Sequence, residues 1–64
     1  MKRRDLLRRL AEEGCQLMRN GAGHDLYRNV ITGAVEAVPR HAEVNEYTAR
    51  KILLALSAPP PGER

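Results

Sequence analysis

Cys15-Gln16-Leu17-Met18-Arg19-Asn20-Gly21-Ala22-Gly23-His24-Asp25-Leu26-Tyr27-Arg28-Asn29 reads as two short strands folded back on each other, and this hairpin decides the fold. In residues 15–20, apolar Cys15 and Leu17 alternate with polar Gln16 at the period of two that a half-buried strand shows, although Met18 breaks strict alternation. Gly21-Ala22-Gly23 is the turn, because glycine accepts the backbone conformations that a tight reversal demands. His24 opens the returning strand, expected over residues 24–29.

Outward from the hairpin, Thr32-Gly33 marks a second turn, residues 34–38 a third strand, and Pro39 its end. Upstream, Leu6, Leu7, Leu10 and Ala11 form one apolar stripe of a helix over residues 5–13, which Gly14 terminates with a left-handed cap. Downstream, residues 41–44 connect to Asn45, whose side-chain oxygen is suited to cap a helix over residues 46–56. That helix turns Ala49, Ile52, Leu53 and Leu56 inward and Arg50 and Lys51 outward. Three consecutive prolines and a glycine give residues 58–64 no means of joining a core, so a flexible tail is expected after a single domain over residues 1–57.

The expected fold is α+β: helix, three-stranded antiparallel meander, helix. Both helices cover one face of the sheet and the other face stays open. Double-stranded-RNA-binding domains share this arrangement, and they read nucleic-acid shape and phosphates more than sequence.

Size and charge narrow the possible functions. A chain of 64 residues holds one small domain with a thin core, since chains of this length bury only about 60% of their unfolded surface. Eleven Lys and Arg against eight Asp and Glu give a net charge of +3. The excess is uneven, because Lys2, Arg3, Arg4, Arg8 and Arg9 crowd the start of the chain with only Asp5 against them. Such a cluster attracts a polyanion, nucleic acid ahead of a membrane, or else forms a solvated helix face. The single Cys15 has no disulfide partner and no metal-ligand spacing, which points to a core position and a reducing compartment. Neither a signal peptide nor a bilayer-spanning apolar run is evident, so a cytoplasmic protein without a membrane partner is expected.

His24 is the candidate for chemistry, because an imidazole titrates near about pH 6.5 and exchanges protons at neutral pH without special tuning. A lone histidine at the start of a hairpin strand is ordinarily a polar surface residue, so its context must carry the case. That context is distinctive. Met1-Lys2-Arg3-Arg4-Asp5-Leu6-Leu7, Glu13-Gly14-Cys15, Gly21-Ala22-Gly23-His24-Asp25-Leu26-Tyr27-Arg28, Val38-Pro39-Arg40-His41 and Thr48-Ala49-Arg50-Lys51-Ile52-Leu53 together resemble the HicA toxins of HicAB toxin-antitoxin modules. The resemblance runs over residues 1–56. It implies a double-stranded-RNA-binding-like fold, endoribonuclease activity on messenger RNA, and neutralisation by a HicB-type antitoxin. In that family the catalytic histidine follows a small Gly/Ser loop at the start of the second strand, where His24 stands. Gly23 and Asp25 depart from the pattern, since many relatives carry Ser or Asn and a second His at those positions.

RNA supplies its own nucleophile in the 2′-hydroxyl, so cleavage needs a base, cations near the developing charge and in-line geometry, with no metal or cofactor. His24 is the expected base. Arg28, four residues along a strand, faces the same side with Leu26 between them, and Lys2, Arg3, Arg4 and Arg40 are expected to hold phosphates. A backbone amide of Gly21 or Gly23 is a further candidate phosphate contact. His41 suits a structural or phosphate-contacting role, and Tyr27 either packs or stacks an unpaired base. Asp25 points away from His24, which disfavours an Asp–His pair, and Glu12, Glu13 and Glu43 read as surface. A non-catalytic RNA-binding module and a protein-interaction module using the open sheet face are the other readings of the same pattern.

Overall fold

The computed structural model describes residues 1–57, and the tail expected over residues 58–64 lies outside them. The elements follow in the order α1 (Arg3–Glu12), β1 (Cys15–Asn20), β2 (His24–Asn29), β3 (Val35–Pro39) and α2 (Glu46–Leu56). The strands form one antiparallel sheet in the order β1-β2-β3. This is the α+β meander expected from the alternation and turn residues.

The core lies between the sheet and the two helices. Leu6 and Leu10 from α1, Cys15 from β1, Val38 from β3, Val44 from the connector, and Ala49, Ile52 and Leu56 from α2 are all buried together. Burying a leucine side chain contributes roughly 1.5–3 kcal/mol, so a few such residues dominate the stability of a domain this small. Cys15 is buried as expected, with its Sγ 3.5 Å from the Leu56 carbonyl, and burial pushes its thiol pKa up.

Local signals placed several boundaries. Asn45 Oδ1 accepts from the Tyr47 amide at 2.8 Å and starts α2. Gly14 takes φ +93° just after α1, and a Cβ there would meet Ile31 Cδ1 at 3.1 Å. The start of α1 differs from expectation. It begins two residues earlier than the sequence indicates, at Arg3, and no side chain caps it. Its first amide finds a distant partner: Lys2 bridges Glu43, the Arg3 amide donates to the Ala42 carbonyl, and the Val44 amide of the connector donates back to the Met1 carbonyl, each bond 2.8 Å long. Backbone pairing with the connector satisfies one of the donors that the start of a helix leaves without an intrahelical partner.

The third strand runs one residue later than expected and includes Pro39. Proline is tolerated there because β3 is an edge strand and needs no donor on its outer side. Ala34 belongs to the turn, its carbonyl accepting from the Asn29 amide at 2.9 Å.

Asn29 organises this end of the sheet, a role the sequence did not reveal. It is fully buried. Its Nδ2 donates to the carbonyls of Leu56 at 2.6 Å and Glu13 at 3.1 Å, and its Oδ1 accepts from the amides of Ile31 at 2.8 Å and Thr32 at 3.2 Å. One side chain thus joins the ends of both helices to the β2–β3 turn.

Candidate functional site

Strand pairing decides which side chains share the open face, because residues directly opposite one another in antiparallel strands point to the same side. In β2, Asp25, Tyr27 and Asn29 face the helices while His24, Leu26 and Arg28 face outward. Pro39, Ala37 and Val35 of β3 stand opposite those three, and across from β1 Gln16 pairs with Arg28 and Arg19 pairs with Leu26. His24, Arg28 and Arg19 are exposed, with Leu26 half-buried among them.

Arg19 is on this face because the register shifts between Leu17 and Arg19. Met18, whose break in the alternation is visible in the sequence, is the extra residue of a β-bulge. Without it, strict alternation from Gln16 would place Met18 opposite Leu26 and send Arg19 to the helix side. Arg19 also lies nearer His24 than Arg28 does. Arg28 is four residues from His24, about 13 Å along the strand, whereas the Leu26 row that holds Arg19 is about 7 Å along.

The β1–β2 turn brings two further groups together. The Gly21 amide donates to the His24 carbonyl at 2.8 Å, which closes the turn. That bond occupies the Gly21 N–H, so the expectation that this amide would face a phosphate is corrected. Gly21 serves in another way. A Cβ at this position would sit 2.9 Å from the His24 carbonyl oxygen, so the missing side chain makes room for that carbonyl, and it would lie at ordinary contact distance, 3.9 Å, from the imidazole Cδ2 and Nε2. The Gly21 carbonyl in turn accepts from Arg40 Nη2 at 2.6 Å. Imidazole and guanidinium are therefore each placed against the same glycine, one on its Cβ side and the other at its carbonyl. Gly23 completes the turn at φ +81° with open space on its Cβ side.

Asp25 is buried on the helix face, away from His24, as alternation requires. Its Oδ2 accepts from Arg3 Nη2 at 2.9 Å, and its Oδ1 accepts from Arg40 Nε at 3.0 Å and Asn20 Nδ2 at 2.8 Å. Hydrogen bonds from Arg40 and Asn20, with the charges of Arg40 and Arg3 behind them, hold the carboxyl below the usual carboxylate range despite its burial. Arg3 donates also from Nε to the Pro39 carbonyl at 2.7 Å. Arg3 and Arg40 are thus tied into the fold rather than projecting freely into solvent.

These two arginines, with Lys2, Arg4, Leu7 and Ala42, line a surface groove of about 450 Å³. Lys2 and Arg4 are exposed. His41, also exposed, follows Arg40 at the same end of the molecule. Tyr27 packs against the core on the helix side, which leaves packing as its role and removes the base-stacking alternative on the open face. Glu12 and Glu43 are exposed as expected, and Glu43 Oε2 accepts from the Met1 ammonium at 2.8 Å.

Among the described residues no three His, Cys, Asp or Glu side chains cluster so as to hold a metal ion. No described helix is long and apolar enough to cross a membrane. The chain matches no family model, no curated protein and no solved structure.

Proposed function

We propose that this protein is a metal-independent endoribonuclease of the HicA kind, acting on messenger RNA in the cytoplasm and held inactive by a HicB-type antitoxin. The observation that supports it best is that exposed His24 and the Arg40 guanidinium both lie against Gly21 in the turn between β1 and β2. An accessible base beside a cation whose position is fixed is what transesterification of RNA requires.

In this reading His24 takes the proton of the 2′-hydroxyl, and the 2′-oxygen attacks the adjacent phosphorus in line with the departing 5′-oxygen. The P–O5′ bond breaks, the 5′-oxygen gains a proton from solvent, and a 2′,3′-cyclic phosphate remains. Arg40 and Arg19 face the non-bridging oxygens as charge develops on them, and Arg28 holds a phosphate further along the open face. Positioned general base catalysis contributes typically 10²–10⁴-fold in rate. The antitoxin would cover Leu26, Ala37 and Val35 with apolar contacts and set carboxylates against Arg19 and Arg28.

His24→Ala tests the assignment. The side chain is exposed, so the variant is expected to fold, to lose RNA cleavage and to stop inhibiting growth. Undiminished cleavage by the folded variant would reject His24 as the base. Retained RNA binding by a wild-type protein that cleaves nothing would favour the non-catalytic RNA-binding module.

A further inference from the structure

The basic groove and the histidine lie on different sides of the sheet, and Arg40 connects them. His24 faces outward while Asp25, its neighbour in the strand, faces the helices. Arg40 reaches both sides: it donates to the Gly21 carbonyl in the turn against the imidazole and to Asp25 beneath the sheet. Arg3 donates to the same carboxylate from the α1 side and to the carbonyl of Pro39, the residue paired with His24.

The charges in this network do not balance. One carboxylate serves two guanidiniums. Lys2 and Arg4 add positive charge, and among the described residues no Asp or Glu lines the groove. The nearest acid in the connector, Glu43, is bonded to the Met1 ammonium. A concave site with this surplus attracts an anion, and planar guanidiniums fixed by a buried acceptor lose little freedom when they bind one.

We propose that Asp25 is a positioning residue that clamps Arg3 and Arg40 as the wall of a phosphate subsite, with Lys2 and Arg4 completing it. Resting on the ribonuclease reading, the subsite takes a phosphate neighbouring the one at His24. The substrate backbone then turns around the end of the sheet, from the open face to the α1 side. A single strand makes that turn readily, whereas a duplex, with a persistence length of about 50 nm in the case of DNA, does not. The substrate class is therefore single-stranded RNA.

The test uses a fluorescent 2′-O-methyl RNA of about 10 nucleotides, a length in the range of single-strand binding sites. Its blocked nucleophile separates binding from cleavage. Affinity is measured by anisotropy across a salt series, for the single strand and for the same strand annealed to its complement. The Lys2→Ala/Arg4→Ala double variant is expected to bind about tenfold more weakly, with a salt slope shallower by roughly 1.4, the loss of two single-strand phosphate contacts. Arg50→Ala/Lys51→Ala, which removes equal charge from exposed α2, is expected to change the slope less.

Asp25→Asn is expected to weaken binding severalfold at temperatures where circular dichroism shows it fully folded. On cleavable RNA it should raise KM and lower kcat together, because Arg40 loses the bond that holds it at the Gly21 turn. Arg40→Lys keeps the charge but cannot bridge Asp25 and Gly21 at once, and it should reproduce the effect if Asp25→Asn does not fold. An unchanged salt slope in the Lys2/Arg4 variant, or a duplex bound as tightly as the single strand, overturns the proposal even if the protein cleaves RNA. Tight, salt-sensitive binding by a wild-type protein that never cleaves RNA would instead retire the ribonuclease reading and leave the subsite standing.

Discussion

Asp25 in the middle of the hairpin accepts from Arg3, the first residue of α1, at 2.9 Å. This bond ties the start of a helix to the strand that carries His24. The candidate site is consequently part of the packing between helix and sheet.

Acid should weaken that attachment. The Asp25 pKa is lowered in the folded state by its bonds to Arg40 and Asn20. A depressed carboxyl pKa stabilises the fold fully above the unfolded value, near about 3.9, and the contribution fades as pH falls toward the lower folded value. Thermal melts of wild type and Asp25→Asn are expected to differ most near neutral pH and to converge below about pH 4. A gap that stays constant in acid would show that the Asp25 charge is not what the arginines recognise.

Asn29→Ala should be among the most damaging single substitutions in the chain. It deprives the carbonyls of Leu56 and Glu13 and the amides of Ile31 and Thr32 of their side-chain partner. Unsatisfied buried polar groups cost about 1–3 kcal/mol each, so a loss of at least about 2 kcal/mol is expected in denaturant unfolding. Leu10→Ala, which empties a fully buried position, supplies a scale of about 2–5 kcal/mol for comparison.

At Gly21 the effect should fall on activity. A Cβ would lie 2.9 Å from the His24 carbonyl oxygen, too close for the turn to keep its shape. Gly21→Ala is expected to shift the hairpin tip and reduce RNA cleavage by about tenfold or more, since small displacements of positioned groups are costly. Gly23→Ala meets no neighbour and carries only the backbone cost of its positive φ, about 1–2 kcal/mol. Cleavage assays on the two folded variants, side by side, check the ordering.

If the open face serves both RNA and an inhibitor, the two must compete. Arg19→Glu/Arg28→Glu changes exposed residues of that face and should weaken both RNA binding and antitoxin binding. A competition titration reads this directly, and simultaneous binding of RNA and antitoxin would place the inhibitor elsewhere. Cleavage should also survive a chelator and leave 2′,3′-cyclic phosphate ends, since the attacking group belongs to the RNA. Strict need for an added divalent ion in the chemical step would contradict this.

The sequence by itself determined the order of elements, the hairpin around Gly21–Gly23, the cap at Asn45, the stop at Gly14 and the outward direction of His24, Leu26 and Arg28. Each depends on residues within a few positions of one another, because side-chain alternation, helical periodicity and turn chemistry are local properties of the backbone. The break at Met18 was legible too, but its consequence was not, since which face Arg19 takes depends on the partner strand. Only the tertiary structure decided that Lys2 pairs with Glu43 to start α1, that Asn29 joins both helix ends to a turn, and that Arg3 and Arg40 close on Asp25. A buried polar group must find a partner wherever the packed chain brings one within about 3 Å, and spacing along the sequence carries no record of that meeting.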